Sequence, residues 1–97
     1  MDITFDNKIT VEEFNFLFES VGWGKLDERL VLKSIENLLF ITTAVIDGKV
    51  IGLARVCGDG GYCIWVHDVI VVPTFQNKGI GKQLMQKAMN FIKNEFI

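Results

Sequence analysis

Residues 67–84 read His67-Asp68-Val69-Ile70-Val71-Val72-Pro73-Thr74-Phe75-Gln76-Asn77-Lys78-Gly79-Ile80-Gly81-Lys82-Gln83-Leu84, and this stretch decides the fold. Its β-branched run predicts a buried strand that ends at Pro73. Gly79 and Gly81 then stand where the extended run becomes an amphipathic helix. The first N–H groups of a helix are unpaired, and the positive end of its dipole attracts anions. The stretch therefore predicts a phosphate site, with Lys78 and Lys82 adding positive charge.

The composition indicates one globular domain over residues 1–97. A hydrophobic share of 49% excludes a disordered chain, and no apolar run is long enough to span a membrane. Ten basic and twelve acidic residues give a net charge of −2, which argues against nucleic-acid binding. The first residues lack a basic segment followed by an apolar one. We expect a cytoplasmic protein that binds neither nucleic acid nor a membrane.

The cysteines and the histidine limit the possible redox and metal chemistry. Cys57 and Cys63 flank a glycine-rich turn and could face each other across a hairpin. Without a secretory signal, two reduced thiols are favoured over a disulfide. His67 is the only histidine, so we expect no metal site.

The first half of the chain is predicted to be mainly helical. After a short strand at Ile3 to Phe5, Thr10 and Glu13 have the spacing of a capping box. The helix that they begin ends near Gly22, and its apolar face includes Phe14 and Phe18. A second helix is predicted from about Asp27 to Leu39.

The second half is predicted to be a meander and a helix. Phe40 to Ile46 and Val50 to Val56 are joined by Asp47-Gly48, a strong hairpin signal. Tyr62 to Val72 forms the next strand, and its nearly continuous apolar run indicates burial on both faces. Gly79 to about Glu95 forms the last helix. The predicted order is β-α-α-β-β-β-α.

Two nucleotide-binding motifs do not match this stretch. A Walker A loop requires Ser or Thr after its lysine, whereas Gln83 follows Lys82. A dinucleotide fingerprint requires a third glycine where Leu84 stands, and it belongs to a parallel βαβ unit. Neither nucleotide hydrolysis nor hydride transfer is supported.

The stretch does resemble motif A of the GCN5-related N-acetyltransferases (GNATs), whose core is Gln/Arg-x-x-Gly-x-Gly/Ala. Gln76, Gly79 and Gly81 occupy those places, and the motif spans about residues 67–92. The order of elements before it is also similar to that of the family. The resemblance covers nearly the whole chain and implies the GNAT fold, an α+β sandwich with a mixed, mainly antiparallel sheet.

The resemblance implies that acetyl-CoA is the acetyl donor. Its pyrophosphate would bind the backbone N–H groups of Gln76, Asn77, Lys78, Gly79, Ile80, Gly81 and Lys82, and its pantetheine arm would lie along Val69, Ile70 and Val71. The alternative is that the two glycines only tighten a strand-to-helix turn.

The resemblance further implies acetyl transfer to a primary amine of a small molecule or protein, by direct attack in a ternary complex. A backbone N–H, of Val69 or Ile70, would polarise the thioester carbonyl. Asp68 is the candidate base, unless it caps a bulge or forms an internal ion pair. His67 could relay the proton instead. Neighbouring strand residues face opposite sides, so only one of this pair would point into the site.

Two residues are candidates for the acceptor side of the site. Trp23 lies between two glycines, and in the family the joint between the first two helices often borders the acceptor site. Asp59 could attract a cationic amine. Phe14 and Phe18 fit the helix core better than a pocket because they lie four residues apart.

The resemblance stops at the carboxyl end of this sequence. Family members usually continue into motif B, which forms the other wall of the coenzyme groove and supplies a tyrosine acid. The only tyrosine here is Tyr62, far upstream. We therefore expect a C-terminally incomplete GNAT fold: a compact variant, a truncated chain, or a homodimer in which a second chain supplies the wall. The rival function is a CoA-binding or structural module without catalysis.

Overall fold

The computed structural model describes residues 2–97 and has the predicted order of elements. They are β1 (Ile3–Asp6), α1 (Val11–Ser20), α2 (Glu28–Glu36), β2 (Phe40–Ile46), β3 (Lys49–Gly58), β4 (Ile64–Val71), a 3₁₀ turn (Pro73–Phe75) and α3 (Ile80–Phe96). The second helix ends at Glu36, three residues before the predicted end at Leu39. Leu39 belongs with the sheet instead, because its N–H donates to the Val56 carbonyl.

The four strands form one sheet in the order β1-β2-β3-β4. Each of the three pairings is antiparallel, so the mixed sheet expected from the resemblance is purely antiparallel within residues 2–97. The β2–β3 hairpin turns at Asp47 and Gly48, whose φ angles of 51° and 77° are both positive. This is the backbone that a two-residue hairpin requires.

The core lies on both faces of the sheet. On one face, α3 packs its apolar side against β2, β3 and β4; on the other face, α1 and α2 cover β3 and β4. The first layer includes Ala44, Ala54, Val56, Val71, Leu84 and Ala88, and the second includes Phe14, Leu17, Val31, Leu53 and Ile70. Each large side chain buried here contributes about 1.5–3 kcal/mol. The result is the α/β sandwich that the sequence predicts.

Burial of β4 differs from the prediction. The strand buried on both faces is β3, because it lies between β2 and β4 with helices on each side. In the first half of β4, exposed Trp65 and His67 alternate with half-buried Val66. Only Ile70 and Val71 are fully buried. The expectation of continuous burial is wrong here, because β4 is the edge strand of the described sheet.

Both cysteines are free thiols. Cys57 is half-buried on β3, and burial raises the pKa of its thiol, while Cys63 is exposed in the turn before β4. The expectation of two unpaired thiols agrees with this arrangement.

None of the helices within residues 2–97 combines the length and apolar character needed to cross a membrane. The cytoplasmic location expected from the sequence stays a prediction.

Candidate functional site

The edge of β4 presents unpaired backbone groups. The Val72 N–H donates to the Ile51 carbonyl over 2.9 Å. Because hydrogen-bonded and non-hydrogen-bonded pairs alternate along an antiparallel ladder, Ile70 bonds to Leu53. The N–H and C=O groups of Val69 and Val71 therefore point away from β3. Of the two N–H groups considered for the thioester carbonyl, only that of Val69 faces the open edge.

A short turn brings the chain from β4 into α3. The N–H of Gln76 donates to the Pro73 carbonyl at 3.2 Å, and its side-chain Nε2 donates to the Val71 carbonyl at 2.9 Å. Gln76 is therefore used in holding the turn. Asn77 and Gly79 both have left-handed backbone, with φ of 64° and 82°. These conformations reverse the chain so that α3 begins beside the end of β4.

The start of α3 has no side-chain cap. Gly79 is its N-cap, and the first intrahelical bond runs from the Gln83 N–H to the Gly79 carbonyl. The N–H groups of the first turn, at residues 79–82, therefore have no partner within the helix. A Cβ placed on Gly81 would lie 3.7 Å from Val71 Cγ2 and 3.9 Å from Val69 Cγ1. The open helix start thus lies next to the side chains of Val69 and Val71, the two β4 residues whose backbone groups face the open edge.

The polar pair His67-Asp68 forms a β-bulge. Ala54 pairs with Val69 and Val56 pairs with Val66, so two β4 residues stand opposite Arg55 alone. Val66 and Val69 both pack on the α3 side, although strict alternation would put them on opposite faces. The expectation that His67 and Asp68 face opposite sides is wrong, because the bulge interrupts the alternation and places both on the α1–α2 face.

Asp68 is held in a buried ion pair. Its Oδ2 accepts hydrogen bonds from Arg55 Nε, at 2.8 Å, and from Arg55 Nη2. Arg55 Nη1 also donates to Ser34 Oγ, at 3.2 Å. The guanidinium lies over the Phe14 and Phe18 rings, 5.0 and 5.7 Å from their centroids. This matches the internal pair considered as the alternative for Asp68, and its role as a base stays a prediction.

His67 has a partner of its own. Its Nδ1 accepts a hydrogen bond from Trp65 Nε1 at 3.1 Å, and both side chains are exposed. In the neutral imidazole, this bond leaves the proton on Nε2. The Nε2–H group is therefore a donor toward solvent or a ligand.

Trp23 lies on the same face of the molecule. The residue is 55% exposed, and its indole ring meets the Phe18 ring edge-on at 5.5 Å. The flanking Gly22 and Gly24 have φ of 81° and 83°, conformations that favour glycine. Because Phe18 also contacts Arg55, the exposed indole is connected to the bulge through one aromatic ring.

Asp59 is used in the turn between β3 and β4. Its Oδ1 accepts hydrogen bonds from the Gly61 N–H, at 2.8 Å, and the Cys63 N–H, at 3.1 Å. These bonds lower the pKa of its carboxyl group. The contacts explain Asp59 as a turn residue, and its proposed attraction for an amine is untested.

Arg55 is the site residue that the sequence analysis missed. A charged side chain in the apolar run Ile51-Gly52-Leu53-Ala54-Arg55-Val56 was the available signal, because such a group is rarely buried unless it is paired. Its partner could not be read from the sequence.

The fold and the β4–α3 edge together define an acetyltransferase-type domain. The model of the Acetyltransferase (GNAT) family matches residues 8–96. The chain belongs to the GNAT family, as the motif A resemblance predicted.

Individual comparisons agree with this assignment. An uncharacterized ycf52-like N-acetyltransferase of Prochlorococcus marinus is 35% identical over 89 residues, which are 88% of this chain and 49% of that protein. A probable acetyltransferase from Staphylococcus aureus superposes with a TM-score of 0.91 at 27% identity, covering 99% of this chain and 73% of that one. The chain spans about half the length of the curated relatives it matches.

One similar structure contains coenzyme A. The aminoglycoside N-acetyltransferase AAC(6')-Iy in complex with CoA has a TM-score of 0.74 at 24% identity, over 96% of this chain and 69% of that one. At this identity the likeness concerns the fold.

Proposed function

We propose that this chain carries the coenzyme-binding part of an N-acetyltransferase, which moves an acetyl group from acetyl-CoA to a primary amine of a small molecule or protein. One observation carries the proposal: the uncapped start of α3 packs beside the Val69 and Val71 side chains, on the strand segment whose backbone faces the open edge of the sheet. A coenzyme with a pyrophosphate at one end and amides along its arm needs both features. The fold shared with a CoA-bound acetyltransferase supports the assignment.

The pyrophosphate binds at the start of α3. The N–H groups of Gly79, Ile80, Gly81 and Lys82 have no partner within the helix, and the helix dipole adds positive potential there. Asn77 and Lys78 extend the loop, and the ammonium groups of Lys78 and Lys82 are exposed beside it. Gln76 has a different part, because its N–H and its side chain already hold the turn.

The pantetheine arm pairs with the edge of β4 as an added strand would. The N–H and C=O of Val69 and the N–H of Val71 face that edge. The Val71 carbonyl already accepts from Gln76, so Val69 offers the more complete pairing site. Ile70 contributes its buried side chain to the α1–α2 core rather than its backbone to the ligand.

The thioester carbonyl oxygen accepts a hydrogen bond from the Val69 N–H, which stabilises the negative charge that develops on it. The amine nitrogen attacks the carbonyl carbon directly in a ternary complex. A C–N bond forms, the C–S bond breaks, and the electron pair of that bond leaves with sulfur. The ammonium form of the acceptor gives up one proton to solvent before the attack, and a second proton passes from nitrogen to sulfur, giving the amide and free CoA. His67 is the exposed polar side chain at the bulge, and we propose it as the relay of that proton.

The acceptor amine binds on the α1–α2 face, with Trp23 beside it, and Asp59 in the β3–β4 turn attracts its positive charge. The exposed indole is available for contact with an apolar or cationic acceptor. We expect Trp23→Ala to raise the KM of the amine and to leave the KM of acetyl-CoA unchanged. Equal effects on both constants would contradict this position for Trp23.

The direct experiment pairs calorimetric titration of CoA with an acetyl-transfer assay. Thiol release from acetyl-CoA is followed with a panel of amines that includes arylalkylamines, polyamines and a lysine peptide. We expect CoA binding together with amine-dependent thiol release. Absence of CoA binding would overturn the proposal.

A second candidate function is CoA binding without catalysis. The observation that favours it is that the Asp68 carboxylate and the His67 Nδ1 both already accept hydrogen bonds from protein donors. CoA binding without thiol release for any amine would support this candidate.

We further propose that the chain forms a homodimer. The first half of β4, outside the segment that pairs with pantetheine, carries half-exposed Trp65, and an open strand edge with apolar side chains favours association. Light scattering at increasing protein concentration checks the oligomeric state, and a monomer at all concentrations would contradict a homodimer.

A further inference from the structure

Arg55 and Asp68 connect four elements at the β4 bulge. Arg55 belongs to β3, and it bonds to Asp68 of β4 and to Ser34 of α2. Its guanidinium also lies over two aromatic rings of α1. The Arg55 side chain is 9% exposed and that of Asp68 is 12% exposed. This is a buried ion pair at a point where the neighbouring core is apolar.

A buried ion pair is a poor way to gain stability. Removing two charges from water costs about as much as their attraction returns, and apolar residues often serve as well. Such a pair does fix geometry, because each charge strongly favours the one arrangement that satisfies it. Here the ion pair fixes the position of Asp68, which directly precedes Val69 in the chain.

We propose that Arg55 is a positioning residue, which uses Asp68 as its partner to hold the bulge so that the Val69 N–H faces the thioester carbonyl. The inference rests on the proposed function. It changes the part given to Asp68, which becomes the anchor of the bulge rather than the acceptor of the amine proton.

The contacts of Asp68 support this change. Two Arg55 nitrogens, Nε and Nη2, both donate hydrogen bonds to Asp68 Oδ2. If Asp68 took up a proton, the Arg55 guanidinium would lose its counter-charge. Arg55 is only 8% exposed, and its guanidinium lies over the Phe14 and Phe18 rings. An unpaired buried charge is strongly unfavourable. A base that must lose its partner at every turnover is therefore disfavoured.

The test compares Arg55→Lys, Asp68→Asn and the double variant, with exposed Arg29→Lys as the matched control. Lysine keeps the charge of Arg55 but loses its fork of donors. We expect each single variant to lower kcat about tenfold, and the double variant to be no worse than either, because residues that act as a unit are not additive. The KM of acetyl-CoA changes little, since the pyrophosphate binds at α3.

The pH dependence of kcat separates positioning from proton transfer. A positioning pair lowers the whole profile and leaves its shape unchanged in both single variants. If Asp68→Asn removed the acidic limb of the profile while Arg55→Lys kept the wild-type rate, Asp68 would be the base and the proposal would be overturned.

The backbone provides a readout that does not depend on activity. In ¹⁵N-labelled protein without CoA, Arg55→Lys on the neighbouring strand should shift the Val69 amide resonance, and Arg29→Lys should not. An unchanged Val69 resonance in Arg55→Lys would overturn the positioning role. Wild-type protein that binds no CoA would refute the proposed function, and the Val69 resonance would still decide whether the pair sets the bulge.

Discussion

The helix starts of this molecule differ in how their N–H groups are satisfied. At the start of α1, Thr10 and Glu13 form a reciprocal capping box. At the start of α2, the Asp27 side chain accepts from the N–H groups of Arg29 and Leu30. At the start of α3, Gly79 offers no side chain. The longest helix of the three, with 17 residues, is the one left without a cap.

The capped helix starts contribute to stability, whereas the uncapped start of α3 is available for binding. A cap stabilises a helix by about 1 kcal/mol, so two helices have that contribution and α3 lacks it. The N–H groups left open at the start of α3 lie next to β4 at Val69 and Val71, where a ligand can accept hydrogen bonds from them. Changes at α1 and α2 should therefore alter stability, and changes at α3 should alter coenzyme affinity.

The largest expected effect comes from Gly81→Val. A Cβ at this position would meet only Val69 and Val71, at ordinary contact distances, so the helix start has room for a side chain to begin here. The added methyl groups would occupy the space between α3 and β4 that the proposed pantetheine and pyrophosphate need. We expect CoA affinity to fall at least about 100-fold, or about 2.7 kcal/mol. Calorimetry measures the affinity, and circular dichroism should remain that of the wild type.

Gly61→Val is the matched control for this variant. Gly61 is exposed in the turn before β4, with φ outside the left-handed region. The control should bind CoA as the wild type does. Wild-type affinity in Gly81→Val would show that the two glycines only tighten the turn.

The next effect is expected for Gly79→Ala. The φ of 82° costs an alanine about 1–2 kcal/mol, and nothing lies near its added Cβ, so the cost is backbone strain alone. Urea unfolding measures the loss, and CoA affinity should fall because the loop relaxes away from its conformation.

Gly48→Ala provides the comparison, since Gly48 has φ of 77° and equally open surroundings in the β2–β3 turn. It should lose similar stability and keep CoA affinity. Parallel losses of CoA affinity in both variants would contradict a local role for Gly79.

Removing a helix cap should lower the stability of the fold and leave CoA affinity unchanged. Thr10→Ala leaves the Glu13 N–H without its side-chain partner and should lower the free energy of unfolding by about 1 kcal/mol. CoA affinity should stay within error of the wild type, as measured by calorimetry. A loss of affinity here would mean that stability and binding are not separable in this chain.

The lysines beside α3 should have smaller effects. Lys78→Ala and Lys82→Ala each remove one exposed charge near the proposed pyrophosphate and should weaken CoA binding about threefold, or about 0.7 kcal/mol. Because salt screens exposed charges, the difference should shrink at high ionic strength. Lys93→Ala, in the last turn of α3, is the control. A salt-independent loss would contradict an electrostatic role.

The smallest effect is expected at Asp59 and depends on pH. Backbone hydrogen bonds lower the pKa of this carboxyl group in the folded chain, so the folded chain favours the charged form. The stabilisation is present above the unfolded pKa and is lost as pH falls through the folded pKa. Asp59→Asn should therefore unfold at slightly lower urea than wild type at neutral pH, with the difference closing in acid. A difference that persisted in acid would contradict this cause.

The features that are local in sequence were predicted well. The capping box, the Asp47-Gly48 hairpin and the strand-to-helix stretch each depend on neighbouring residues, and their patterns are specific. Motif A predicted the family for the same reason: Gly79 supplies a left-handed backbone conformation, and Gly81 lies close to Val69 and Val71 at the helix start.

The arrangement at the bulge could not be predicted. Regular alternation along a strand predicts that His67 and Asp68 face opposite sides of the sheet. One extra residue in β4 forms a bulge there, so both side chains lie on the same face. The partner of Asp68 comes from β3, thirteen residues away, and depends on the register of the two strands. Long-range register and bulges leave no short sequence signature.

The central claim is that CoA binds the uncapped start of α3 and the edge of β4. Titration of CoA into ¹⁵N-labelled protein tests it most directly. The amide resonances of Val69, Gly79, Ile80 and Gly81 should shift together, and those at the capped starts of α1 and α2 should stay in place. Shifts confined to other residues, or no shifts at millimolar CoA, would contradict the claim.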